Sequence, residues 1–170
     1  PGERVLDVGC GTGQSVAQIA DAVGPSGHVT GLDISETMLR QAHDRLGFRP
    51  QVRLTMADAQ THDFSQPFDV ILSRFGVMFF DDTRAAFANL WQALAPGGRM
   101  VMAAWASASD NPWFMDPAAA ARDVLGPMPQ ADRTLPGPFA FEEAERILDI
   151  FSAAGLTDPT VETLELTLTP

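Results

Sequence analysis

The sequence predicts an α/β domain built on a mostly parallel sheet with helices on both faces. Three observations carry that prediction. Short apolar runs suited to buried strands recur from the first residues. Segments with apolar residues at helical spacing lie between them. Glycine, proline and capping residues stand at the boundaries where one kind of segment gives way to the other.

The elements follow in order. Arg4 to Val8 is the first strand, and a helix from Gln14 to Val23 turns Val16, Ile19, Ala20 and Val23 inward until Gly24-Pro25-Ser26-Gly27 ends it. His28 to Leu32 is the second strand, closing on Asp33. Ser35 caps a helix running to about Leu46, with Met38, Leu39, Ala42 and Leu46 inward. Val52, Leu54 and Met56 alternate as strand three, which ends at Ala57-Asp58-Ala59, and Phe68 to Ser73 is strand four. Asp81 or Asp82 caps a helix whose Ala86, Phe87, Leu90, Trp91 and Leu94 form one apolar face, and Pro96-Gly97-Gly98 separates it from strand five, Arg99 to Trp105. The rhythm lapses over about 106–140, a proline-rich segment with one helix near Asp116 to Leu125. A helix from Phe141 to Ala154 stops at Gly155, and Val161 to Leu168 reads as a sixth strand.

Composition narrows the function. The 170 residues, 45% of them hydrophobic and 19% charged, suit one soluble domain with a sizeable core, residues 1–170. No apolar run is long enough to span a bilayer. A single cysteine, Cys10, permits no internal disulfide and fits a reducing, cytoplasmic compartment. The chain starts at Pro1-Gly2-Glu3 without an initiator methionine and reads as a piece of a longer protein. A net charge of -11, with all eleven basic residues arginine and scattered, argues against nucleic-acid partners. Neither lysine nor tyrosine occurs. Schiff-base chemistry, a phosphate-binding lysine and a Tyr–Lys proton relay are therefore excluded for these residues.

The candidate chemistry gathers at the predicted carboxyl ends of the strands, where open α/β sheets bind ligands. Strand one runs into Gly9-Cys10-Gly11-Thr12-Gly13, a turn that lets backbone N–H groups and a helix N-terminus approach a ligand. The dinucleotide fingerprint wants glycine at its sixth position, where Gln14 stands. Asp7 lies inside the strand, and a buried carboxylate needs a partner, such as a cationic ligand group. Asp33 falls about 20 residues after the turn, where an acidic residue accepts from ribose hydroxyls; by itself it reads equally as a helix cap. Ile34 and Met38 follow and are suited to packing on a flat base. Asp58 is placed to accept from an adenine amino group while the Ala59 N–H donates to a ring nitrogen, although a surface turn is the alternative. Ser73 and Arg74 end strand four and face whatever occupies the middle.

These motifs resemble, in order and spacing from Arg4 to Trp105, those of class I S-adenosylmethionine-dependent methyltransferases: Val5-Leu6-Asp7-Val8-Gly9-Cys10-Gly11-Thr12-Gly13, Asp33, Ala57-Asp58-Ala59, Phe68-Asp69-Val70 and Leu94-Ala95-Pro96-Gly97-Gly98. The chain is similar to the bacterial branch with ubiquinone/menaquinone C-methyltransferases and many small-molecule methyltransferases. The resemblance implies a Rossmann-like sandwich, with a final antiparallel strand beyond Pro170 and often a helical cap before Pro1. It also implies that Asp7 and the Gly9–Gly13 loop hold the methionine portion of S-adenosylmethionine, with Asp7 near the ammonium, directly or through water. Asp33 would take the ribose, and Asp58 with Ala59 the adenine.

The expected function is methyl transfer from S-adenosylmethionine to a small-molecule acceptor at C, O or N. The cofactor carries the difficult chemistry, and in-line positioning supplies roughly 7–11 kcal/mol at best. No general base stands out: His28 lies at the wrong end of strand two, His43 on a solvated helix face, and His62 towards the adenine side. No His, Cys and carboxylate set has metal-ligand spacing. Phe75 and Phe79, with Trp105, Asn111, Trp113 and Phe114 of the irregular segment, are candidates for an apolar acceptor pocket under a partial lid; core packing explains them equally well. The rivals are a nicotinamide-dependent oxidoreductase and a non-catalytic S-adenosylmethionine-binding module. The strand-four residues Ser73-Arg74-Phe75-Gly76 replace the Asn/Asp-Pro-Pro-Tyr/Phe motif of enzymes that methylate amino groups of DNA bases or protein glutamine.

Overall fold

A computed structural model describes residues 1–127 and 132–167 of the chain. Its elements are β1 (Arg4–Val8), α1 (Gln14–Val23), β2 (His28–Asp33), α2 (Glu36–Leu46), β3 (Val52–Met56), β4 (Phe68–Arg74), α3 (Thr83–Gln92), β5 (Leu94–Ala103), α4 (Pro112–Leu125) and α5 (Ala144–Ala154). The strands form one parallel sheet in the order β3-β2-β1-β4-β5. The order reverses between β1 and β4, so the loops that follow these two strands flank the crevice at the topological switch point.

Side-chain alternation divides the core between the two faces of the sheet. Val5 lies in register with Val29 and Val70, and these three join Val16 and Ala20 of α1 and Leu39 and Leu46 of α2. On the other face Leu6 and Ile71 are register partners and pack with Phe87 and Leu90 of α3 and Ile147 and Ile150 of α5. Burying each such side chain is worth about 1.5–3 kcal/mol. Asp7 shares a face with Val5, which aims its carboxylate at α1.

Through β4 the predicted boundaries hold to within a residue or two, and Ser35 and Asp82 are the caps: their side chains accept from the Met38 and Ala85 N–H groups. Five points differ. Met38 is 47% exposed and so is not an inward residue of α2. Leu94 belongs to β5, where it pairs with Phe68 before the register jumps to Val70↔Arg99; Pro96-Gly97-Gly98 forms an irregularity inside the strand rather than a break before it. The helix of the irregular segment begins earlier, at Pro112, whose missing N–H costs nothing at a first helical position; it carries Pro117 within it and buries none of its residues. The last helix starts at Ala144, not Phe141, and ends as expected at Gly155 in the left-handed conformation. The sixth strand is not present over residues 161–167, where Leu164 and Leu166 are exposed and no neighbouring strand is paired; Leu168 lies outside the described residues. Alternation supplied the pattern, but a strand needs a hydrogen-bonding partner. No helix among the described residues is long and apolar enough to cross a membrane.

Candidate functional site

The loops after β1 and β4 meet backbone to backbone. Gly9 has a φ of 70°, and a Cβ placed on it would lie 2.8 Å from the Cα of Gly76. Gly9 thus meets two demands, a left-handed φ and a closeness that leaves no room for a methyl group. Its N–H and that of Cys10 both donate to the Leu32 carbonyl, at 2.8 and 3.1 Å, which draws the loop towards β2. Gly13 starts α1 in the left-handed region and packs so tightly on α2 that a Cβ would reach 2.7 Å from Leu46 Cδ1.

Asp33 fixes this loop further. Its Oδ2 accepts from the Gly11 N–H and its Oδ1 from the Ser35 N–H, each at 2.8 Å, while the residue is only 8% exposed. The carboxylate therefore does what a turn residue does for the start of α2, and holds the glycine loop as well. Each oxygen has a second lone pair. Beside it Ile34 is 74% exposed, and the Met38 Sδ lies 3.7 Å from a Cβ position on Gly11. Two large apolar side chains stand open next to a fixed carboxylate.

Asp7 has no exposed surface. The Ser15 hydroxyl of α1 donates to its Oδ2, and its Oδ1 is buried without a partner. Burial pushes its pKa up to about 6, against the smaller lowering effects of the Ser15 hydrogen bond and the Arg74 charge. Arg74 is exposed and donates to Gln14 Oε1 at 3.2 Å, joining the end of β4 to the start of α1. The Ser73 hydroxyl is fully engaged inside the fold: it donates to the Val8 carbonyl at 2.7 Å and accepts from the Gly76 N–H at 3.3 Å. Cys10 is buried, and that burial pushes its thiol up to about 12, which suits packing and not nucleophilic chemistry.

After β3, Asp58 is exposed and accepts from the Gln60 N–H at 2.8 Å, whereas Ala59 is buried. Asn89 of α3 donates to the carbonyls of both Ala59 and His62, at 2.9 Å each. Further along the carboxyl edge Phe75, with a φ of 63°, stacks on Trp105 at 4.4 Å between ring centres. Trp113 and Phe114 meet Trp105 edge-on at 5.2 and 5.5 Å, and Phe139 meets Phe114 at 4.9 Å. Trp113 remains 47% exposed. Asn111 donates to the Ser107 carbonyl at 2.8 Å and so tightens the approach to α4, while Phe79 is 54% exposed and makes none of these ring contacts.

The sequence reading missed Ser15, Gly76, Asn89 and Phe139. Only Asn89 left a signal, an amide on a helix otherwise read for its apolar face. Among the described residues no three His, Cys, Asp or Glu side chains could together hold a metal ion.

Known proteins share this architecture. Residues 5–98, more than half of the chain, match the family model described as "Methyltransferase domain". A ubiquinone/menaquinone biosynthesis C-methyltransferase of Teredinibacter turnerae is 40% identical over 106 residues, covering 60% of this chain and 43% of that protein. A demethylmenaquinone methyltransferase of Staphylococcus aureus is 37% identical over 101 residues, covering 59% and 42%. The chain thus spans less than half the length of these relatives. Among solved structures, an S-adenosylmethionine-bound amino pentose methyltransferase from Micromonospora echinaspora is 38% identical, with a TM-score of 0.55 over 63% of this chain and 44% of that one. A phosphoethanolamine N-methyltransferase of Haemonchus contortus in complex with S-adenosylmethionine is 25% identical, with a TM-score of 0.66 over 92% and 33%. The stretch that the family model covers runs from β1, through the glycine loop and Asp33, to the irregularity in β5, and on that ground the chain belongs to the methyltransferase domain family.

Proposed function

We propose that the chain binds S-adenosylmethionine across the carboxyl ends of β1, β2 and β3 and directs its methyl group to a small-molecule acceptor lying towards the aromatic cluster. The observation that carries this reading is the Asp33 carboxylate, tied by two backbone N–H groups beside the exposed side chains of Ile34 and Met38. A nucleoside needs both features: an acceptor pair for its ribose hydroxyls and apolar surface for its base.

The other residues fit the same cofactor. The loop Gly9, Gly11, Gly13 keeps side chains away from the methionine portion, and the start of α1 presents N–H groups there. Asp7 is a negative charge behind that loop with one oxygen unpartnered, which complements an ammonium or sulfonium. Arg74 and Gln14 reach over the same region and would meet the methionine carboxylate. Cys10 contributes backbone, and Ser73 fixes the ends of β1 and β4 in relation to each other. Asp58 and Ala59 would read the adenine edge.

When bound, the cofactor supplies an electrophilic methyl group on a sulfonium. The chain's part is to orient and to exclude water. Phe75, Trp105, Trp113 and Phe114 form an apolar wall suited to an apolar or aromatic acceptor, and the described residues 106–127 and 132–140 of the irregular segment are the proposed lid over it, with Asn111 bracing its approach. Phe79, exposed at 54%, is a further candidate for acceptor contact. Likeness to the ubiquinone/menaquinone biosynthesis C-methyltransferase and the demethylmenaquinone methyltransferase supports this acceptor class.

Parallel calorimetric titrations with S-adenosylhomocysteine and with NAD test the reading. Saturable heat from S-adenosylhomocysteine alone is expected, and heat from NAD alone overturns it.

A further inference from the structure

The turn after β3 is tied to α3. Within the turn, the Asp58 carbonyl accepts from the Thr61 and His62 N–H groups, at 3.1 and 2.9 Å, and the Asp58 side chain accepts from Gln60 N–H. These bonds are internal to the turn, and Ala59 packs into the core beneath it. Asn89 makes the polar attachment. Its amide uses both of its N–H bonds, one on the Ala59 carbonyl and one on the His62 carbonyl, at 2.9 Å each. A second tether runs the other way, from the Asp82 N–H at the start of α3 to Gln60 Oε1 at 2.9 Å.

We propose that Asn89 is a positioning residue for base recognition: it holds Asp58 and Ala59 in the register that tells adenine from a 6-oxo purine. The inference rests on the reading of this turn as the adenine site. A carboxylate accepting from an exocyclic amino group discriminates only if it stays within hydrogen-bond reach, a tolerance of a few tenths of an ångström. Asp58 is exposed and has no packing of its own to hold it there. The rigid reference is α3, anchored in the core by Ala86, Phe87 and Leu90, the first and last of which flank Asn89 by one turn or less. Leucine in place of Asn89 keeps the branched shape at a larger volume and removes both donors. The two carbonyls then lose their partners, and the turn relaxes towards water.

A purely structural brace and a positioning residue differ in one readout. A brace lowers stability and weakens every ligand alike. A positioning residue changes the ratio of affinities for two bases. The test is calorimetric titration of the wild-type chain and Asn89→Leu with S-adenosylhomocysteine and its hypoxanthine counterpart, S-inosylhomocysteine, well below either unfolding midpoint. The wild-type chain is expected to prefer adenine by tenfold or more, as roughly expected for one hydrogen bond to a charged group. Asn89→Leu is expected to bind both about equally, through loss of affinity for the adenine ligand. Asn89→Ser, which keeps one donor on a shorter stem, gives an intermediate ratio and serves if the leucine variant does not fold. An unchanged ratio in a folded variant overturns the inference and leaves the reading of the site intact. A wild-type chain that binds the two ligands equally, or neither, overturns the adenine reading of the turn and this inference with it.

Discussion

Ser15 donates its hydroxyl to Oδ2 of Asp7 at 2.5 Å, and Oδ1 of the same carboxylate is buried with no partner. The contact is between α1 and the middle of β1, so half of a charged group is satisfied by the fold and half is left over. A fold that only needed to be stable would gain by replacing it.

The cost is measurable as a pH dependence. Burial raises the Asp7 pKa from 3.8 to about 6 in the folded chain, so between those values the native state holds a proton that the unfolded state has released. Stability from this group therefore falls as pH rises from about 4 to above 6, by on the order of 3 kcal/mol. Urea unfolding of the ligand-free chain at pH 4.5 and 7.5 should show this component in the wild type and lose it in Asp7→Asn. Equal pH dependence in the two proteins contradicts the account.

Ligand affinity should run the opposite way. A cationic group prefers ionised Asp7, so S-adenosylhomocysteine binding weakens as pH falls through about 6. In Asp7→Asn the affinity at pH 7.5 is expected to drop by tenfold or more, on the order of the 1.5–3 kcal/mol of a charge-assisted hydrogen bond, and the inflection near pH 6 disappears. A flat binding profile in the wild type removes Asp7 from the cofactor site.

Gly9→Ala tests the contact between the two loops. The new Cβ would lie 2.8 Å from Gly76 Cα and demands a left-handed φ, so the variant is expected to lose about 2–4 kcal/mol of stability. Gly97→Ala, with a φ of 77° and open space around the new atom, bears only the conformational part, about 1 kcal/mol. Equal losses by denaturant melts mean that the loops can part freely.

Cys10 should resist chemistry. With burial pushing its thiol to about 12, reaction with a disulfide reagent at pH 8 follows global unfolding and speeds up in urea. Rapid labelling of the native chain contradicts a closed glycine loop.

The aromatic cluster makes a different prediction. With any acceptor the chain methylates, Trp113→Ala and Phe114→Ala are expected to raise the acceptor KM severalfold or lower kcat while leaving S-adenosylhomocysteine affinity within about twofold, since a lost apolar contact costs roughly 1–3 kcal/mol only where it is made. Unchanged acceptor kinetics in both variants would remove these rings from the acceptor wall.

Sequence signals located the glycine loop, Asp33 and the first four strands because each is specified locally, by a left-handed turn, a cap or an apolar run. Residues whose role depends on long-range contact escaped. Asn89 meets Ala59 only after α3 packs on the sheet face that carries Leu6 and Ile71, and Gly76 meets Gly9 only once β1 and β4 pair. The alternation at Val161 to Leu168 predicted a strand, yet residues 161–167 pair with none. Asp33 and Asp58 each had two readings, turn residue and ligand group, and the structure realises the turn in both while leaving acceptor capacity on each carboxylate.

A crystal of this chain soaked with S-adenosylhomocysteine tests the central claim most directly. Ligand density is expected along the carboxyl edge, with the ribose on Asp33, the base against Ile34 and Met38 with its edge at Asp58, and the sulfur facing Phe75 and Trp105. Density bound elsewhere on the sheet, or an Asp33 that keeps its two backbone partners and touches no ligand, would contradict it.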